Sequence, residues 1–259
     1  LPGAYKTNGQ LNAWWARHLG AYVLDAEIEM IQPILPLLTG DHIVLLGCSE
    51  QLRLLRNSTV SRKTVLNRTV PSFSTDSGIC GSWDDLPLAD NSLQTLVVPH
   101  TLEILLEGSK PLFHEIYRVL KPEGDLIVLG FNPSIIWRLW RFFYPSDAAI
   151  PWMDKCKKRS DLRFSLSLLD YRIVSQKTGA YCLPDDGRAI TRCINWIFSG
   201  VKKICPWFGG AYILHAKKQS TGVTPIKVSW KEKYSDIKAA DKVAPMPRTK
   251  VECENFEEN

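Results

Sequence analysis

The chain has 259 residues, 45% of them hydrophobic, enough for one core of roughly 200 residues and a tail. Its formal net charge of +5 falls short of the concentrated basic patch that nucleic-acid binding requires, so nucleic acid is not an expected partner. Seven cysteines without a C-x-x-C pair suit free thiols in a reducing compartment and leave structural zinc unsupported, and no apolar run reaches the roughly 18 residues of a membrane span. With no basic-then-apolar leader legible either, the expectation is a cytoplasmic protein without a metal site.

From Gln10 to Ile31, apolar residues recur at helical spacing through Trp14, Ala21, Leu24, Ile28 and Ile31 and stop before Pro33, which predicts a helix ahead of the domain. His42 to Leu46 is a β-type run ending at Gly47, the natural first strand, and Gln51 to Arg56 starts a helix behind it. Thr64 to Val70 and Ser77 to Trp83 are weaker strand candidates, and the chain between Ser58 and Gly81 is too short for full-length helices between them. This side of the sheet is therefore expected to be trimmed.

Leu93 to Pro99 is short, apolar and β-branched, bounded by Asp90-Asn91 and Pro99, and reads as a strand buried on both faces. Between Ser109 and Leu120 the period changes: Leu112, Phe113, Ile116, Val119 and Leu120 recur at helical spacing. Ser109 is placed to cap this helix and Lys121-Pro122-Glu123-Gly124 to stop it. Asp125 to Phe131 returns to a buried strand. Two parallel strands joined by one helix cross over right-handedly, and ligands of such sheets gather outside the strands' carboxyl ends. His100 and Asn132 sit at those two ends.

Farther on, Ile135 to Tyr144 is densely aromatic, with Arg138 and Arg141 three apart on one helical face. Tyr171 to Val174 and Tyr212 to Ala216 read as the last two strands, with a helical stretch, Ala189 to Ile204, between them. From Lys218 the composition is polar, charged and proline-containing without periodicity, which predicts a disordered tail. The expected division is an N-terminal helical extension over 1–40, an α/β domain over 41–217 and a tail over 218–259.

The order of these elements, with the words LPLADNSL, RVLKPEG and LGFNP, resembles the class I S-adenosylmethionine-dependent methyltransferases of the type 11 group. Trp14-Trp15, Asp41 to Cys48, His100 to Glu103, Gly130 to Pro133 and Pro206 to Tyr212 are similar to a small proteobacterial branch of that group. The likeness covers roughly residues 10 to 217. It implies a Rossmann-like α/β fold, a seven-strand mixed sheet whose last strand is antiparallel, and S-adenosylmethionine as cofactor. In the wider family the first strand ends in an acid followed by G-x-G-x-G, where glycines let the backbone approach the cofactor's methionine part. This chain has Leu45, Gly47, Ser49 and Gln51 in the acidic and three glycine positions. The family's ribose-binding acid, about 20 residues on, falls near Asn67, a neutral amide, and its adenine-contacting Asp falls on Ser82, with Asp84 and Asp85 just beyond. Trp83 beside them can stack on adenine.

The resemblance thus places the cofactor against Gly47, Cys48, Ser49, Asn67, Ser82, Trp83, Asp84 and Pro99. His100 either removes a proton from a methyl acceptor or hydrogen-bonds its loop, and Asn132 and Trp137 face a small-molecule acceptor or serve a turn and packing. Asn132-Pro133 follows the fifth strand and lacks the second proline and aromatic of the base-methylating N-P-P-Y motif. Glu103, Asp185 and Asp186 are pocket acids or ordinary loop acids. Two functions compete: a methyltransferase acting on a small, apolar molecule, and a methyltransferase-like binding or scaffold protein without turnover. Trp137, Trp140 and Phe143 would give either one a peripheral membrane contact. A pocket blocked by the Gln51 side chain would favour the second.

Overall fold

The computed structural model describes residues 13–68, 78–104, 110–132, 159–181 and 209–219, together with 156, 195, 196, 200 and 205. Strand β1, His42–Leu46, lies at the centre of the left half of a sheet, with every residue after His42 buried, as expected of a strand covered on both faces. It pairs in parallel with β2, Arg62–Asn67, and with β4, Leu93–Pro99, while β3, Gly78–Cys80, pairs in parallel with β2. β4 pairs in parallel with β5, Leu120–Phe131, which makes a register shift where the chain passes Lys121 to Gly124. β7, Ala211–Lys218, inserts antiparallel between β5 and β6, Tyr171–Gly179. The strand order is therefore β3-β2-β1-β4-β5-β7-β6, the expected seven-strand mixed sheet.

The trimmed half is more compact than a helix-linked one. A seven-residue 3₁₀ segment, Ser49–Leu55, replaces the helix anticipated from Gln51 to Arg56, and β3 is only three residues long. After Leu55 the chain turns at once, with Ser58 Oγ accepting the Val60 N–H at 3.2 Å, so no further helical turn forms. On the other half, α2, Thr101–Ile104, and α3, Lys110–Val119, connect β4 to β5, and α4, Arg159–Leu168, precedes β6. Leu112, Phe113, Ile116, Val119 and Leu120 are all buried, as their spacing predicts. The cap expected at Ser109, the aromatic run Ile135 to Tyr144, most of Ala189 to Ile204, and the tail beyond 219 lie outside the described residues.

The first helix, α1, runs from His18 to Ile31 and not unbroken from Gln10. Residues 13–15 are helical, but Arg17 is extended, at φ −79° and ψ 161°. The Trp14 carbonyl, which also accepts the Arg17 N–H at 2.9 Å, lies against Gly20, where any Cβ would collide with it. That fold-back turns Trp14 and Trp15 into the core. The buried face of α1 includes Leu19, Val23, Glu27, Met30 and Ile31, so Ala21 and Ile28, expected inside, are half-buried. α1 belongs to the same compact unit as the sheet, residues 1–220.

Candidate functional site

The carboxyl ends of β1, β2 and β4 are tied together by main-chain and hydroxyl bonds. Gly47 N–H donates to the Leu66 carbonyl at 3.2 Å, Gly81 N–H to the Asn67 carbonyl at 2.9 Å, and Thr101 Oγ1 to the carbonyls of Leu46 and Pro99. This edge brings Gly47, Cys48, Asn67 and Pro99 together, all of them buried. Ser49 is exposed on the outer side of the 3₁₀ segment.

Gln51 has no solvent exposure and folds back over this edge. Its Oε1 accepts the Cys48 N–H at 3.0 Å, and its Nε2 donates to the Pro99 carbonyl at 3.4 Å. Cys48 and Gln51 also form a reciprocal capping box for the 3₁₀ segment. A Cβ on Gly47 would collide with Gln51 Oε1 and stand 3.1 Å from Leu45 Cδ2 and 3.3 Å from Pro99 Cγ. Gly47 is thus a glycine because a carboxamide rests on it. Burial pushes the Cys48 thiol up to about 12, so it supplies no thiolate at neutral pH.

Asn67 ends β2, where the family spacing expected it. Trp83 is 1% exposed, with the Arg68 guanidinium 5.5 Å from its ring centroid and its indole N–H without a hydrogen-bond partner among the described residues. Ser82 and Asp84 are exposed: Ser82 Oγ accepts the Asp84 N–H at 3.3 Å, and Asp84 stands 4.0 Å from Arg68.

His100, one residue beyond Pro99, adopts φ 56° and has no exposed surface. Its Nε2 lies 2.6 Å from Glu27 Oε1 on α1 and its Nδ1 3.1 Å from Glu103 Oε2 on α2. Glu103 Oε1 in turn accepts the Phe131 N–H at 2.6 Å. The imidazole packs between Phe131 and Trp15, at centroid distances of 3.9 and 5.2 Å. Burial favours the neutral ring, yet the two carboxylates outweigh it and lift the His100 pKa to about 10. Burial raises Glu103, and its contact with His100 opposes that shift. With both nitrogens engaged, His100 has no free lone pair for an acceptor's proton. Glu27, the partner that spacing did not single out, sits between Leu24 and Ile31 on the buried stripe of α1, where its charged character hides its position.

Asn132 donates from Nδ2 to the Gly209 carbonyl and from its backbone N–H to Gly210, both at 2.9 Å, which ties the end of β5 to the approach of β7. Trp137, Asp185 and Asp186 lie outside the described residues. Among the described residues no cluster of metal-ligating side chains occurs, and no helix is long and apolar enough to cross a membrane.

The chemistry of this donor set is specific. A glycine floor, one main-chain N–H and one main-chain carbonyl together receive a group that accepts with one atom and donates with another. The α-amino-acid end of S-adenosylmethionine, with its carboxylate and ammonium, presents the same pair of functions. Gln51 occupies that position in this structure.

Residues 48–128 match the family described as a methyltransferase domain. No curated protein matches the chain by sequence. Among solved structures, the complex between the Haloferax volcanii Trm112 methyltransferase activator and a methyltransferase aligns at 19% identity and TM-score 0.54, covering 83% of this chain and 94% of that one. A Thermotoga maritima S-adenosylmethionine-dependent methyltransferase aligns at 15% identity and TM-score 0.53, covering 82% and 95%. A third such enzyme, from Archaeoglobus fulgidus, aligns at 17% identity and TM-score 0.50, covering 74% and 92%. The sheet has the class I methyltransferase fold, and the matched residues 48–128 begin one position after Gly47.

Proposed function

We propose that this chain is an S-adenosylmethionine-dependent methyltransferase acting on a small, apolar molecule in a bacterial cytoplasm. One observation carries the proposal: a sheet of class I methyltransferase order in which residues 48–128, running from the end of β1 through β4 into β5, match a methyltransferase domain. When bound, S-adenosylmethionine supplies a methyl group activated on a sulfonium, so the protein's task is chiefly alignment and exclusion of water.

In this assignment Gly47 admits close approach, Cys48 N–H and Pro99 O bind the amino-acid end, and Ser49 borders it. Asn67 hydrogen-bonds one ribose hydroxyl, and Ser82, Trp83 and Asp84 border the base. His100 acts by position, fixing α1 and α2 against the sheet, and no general base is assigned to it. The apolar acceptor rests on the aromatic run from Ile135 to Tyr144, with Trp137 and Asn132 on the acceptor side. Cytoplasmic location is supported by the free thiols of Cys48, Cys80, Cys156 and Cys205.

A binding or scaffold role without turnover is favoured by separate observations: the Gln51 side chain fills the edge over Gly47, and apolar Leu45 and neutral Asn67 stand where carboxylates hold the cofactor in the wider family. Such a module would reach a membrane surface through Trp137, Trp140 and Phe143. Calorimetric titration of the full chain with S-adenosylmethionine and S-adenosylhomocysteine separates the two. Dissociation constants of about 100 μM or tighter support the enzyme, whereas millimolar or absent binding favours the module.

A further inference from the structure

We propose that Gln51 is an internal competitor for the cofactor's α-amino-acid end, occupying the Gly47 cradle with its own carboxamide and yielding it only when a ligand replaces both of its hydrogen bonds. The inference rests on the function proposed above and adds a regulating residue that the family resemblance does not supply.

Three features of the geometry carry it. The carboxamide is wholly buried, so it is a settled occupant of the edge and not a passing surface rotamer. It lies against the one retained glycine of the loop, with its oxygen close enough to collide with any Gly47 Cβ. Its polarity is oriented, oxygen toward the Cys48 N–H at 3.0 Å and nitrogen toward the Pro99 carbonyl at 3.4 Å. An amino acid entering this cradle would give its carboxylate to the Cys48 N–H and its ammonium to the Pro99 carbonyl, so those two main-chain groups are paired in either state. Occupancy by Gln51 lowers the apparent affinity for an amino-acid-bearing ligand by the fraction of molecules in which the cradle is free.

A ligand that lacks the amino-acid end does not meet this competitor. S-adenosylhomocysteine and 5′-methylthioadenosine share the thioadenosine part and differ in that end. The test is calorimetric titration of the full-length wild type, Gln51→Gly and Gln51→Ala with both compounds, with thermal unfolding of each variant to show that it is folded. The alanine variant guards against loosening of the 3₁₀ segment by glycine. The expected result is about a tenfold or greater gain in S-adenosylhomocysteine affinity in both variants, with 5′-methylthioadenosine unchanged within about twofold.

Binding of 5′-methylthioadenosine to all three proteins without a gain for S-adenosylhomocysteine would overturn the competitor role and leave the proposed function standing, with Gln51 serving only to cap its segment. Equal gains for both compounds would also overturn it, because Gln51 would then cover more than the amino-acid cradle. Failure of every protein to bind either compound would overturn the function, and the competitor role with it.

Discussion

The Gln51 cradle and the His100 cluster are neighbours at the end of β4, and both are closed to solvent, but by different physics. Gln51 is neutral and held by two hydrogen bonds to main-chain groups, each worth about 1 kcal/mol net, which any ligand with an acceptor and a donor can replace. His100 is a charged ring enclosed by two carboxylates contributed from α1 and α2, at 2.6 and 3.1 Å, with aromatic rings over its faces. Nothing small and neutral substitutes for it. Burial alone therefore does not mark a binding site: one polar group here can be exchanged and the other holds two helices in place.

The largest effect that would break this contrast is on stability at His100. Removing the ring leaves Glu27 and Glu103 buried without their cation, and His100→Ala is expected to cost about 3–5 kcal/mol in urea unfolding. A cost under about 1 kcal/mol would mean that the cluster is hydrated and that α1 is held by its apolar face alone. Glu27→Gln keeps the shape and one hydrogen bond while removing the charge. Its expected cost is smaller, about 1–3 kcal/mol, and proteolysis near residue 17 should become faster as α1 loosens.

The same cluster predicts how stability varies with pH. The folded pKa of His100, about 10, lies above its ordinary value of 6.5, so its contribution is fully present below pH 6.5 and is lost as pH rises toward 10. Cys48, raised from 9.0 to about 12, acts with the same sign but only above pH 9. Unfolding midpoints compared at pH 7 and pH 8.5 therefore read chiefly the His100–Glu103 cluster, since the lowered His42 acts with the opposite sign mainly below pH 6.5. They should fall with pH in the wild type and become flatter in His100→Gln.

Gln51→Ala should cost less than His100→Ala, about 2 kcal/mol, since two main-chain hydrogen bonds are lost. A cost comparable to that of His100→Ala would erase the distinction between exchangeable and fixed closure. On the ligand side, Asn67→Asp supplies an acceptor for both ribose hydroxyls and should tighten S-adenosylhomocysteine by about 1 kcal/mol, read by calorimetry.

Periodicity in the sequence was sufficient for the strands at the heart of the sheet. His42 to Leu46 and Leu93 to Pro99 form as read, because both are apolar on both faces and bounded by turn residues. Counting from Gly47 placed Asn67 at the end of β2, since parallel neighbours in register share their carboxyl ends. Three features escaped that logic. Glu27 lies in an apolar stripe and is paired with a histidine 73 positions away, a contact no local pattern encodes. The fold-back of Gln51 depends on Gly47 and Pro99 meeting across two strands. The break at Arg17 depends on Gly20 admitting the Trp14 carbonyl, which helical spacing of apolar residues does not register.

Cys48 gives this edge a built-in chemical reporter. Its sulfur is buried and accepts the Gln51 main-chain N–H, so alkylation by a small maleimide or iodoacetamide can proceed only during excursions in which the loop opens. Cys80, which is exposed, supplies the unprotected reference rate within the same molecule. The ratio of the two labelling rates, followed by mass spectrometry of the peptides, would measure how often the cradle opens in the absence of any ligand.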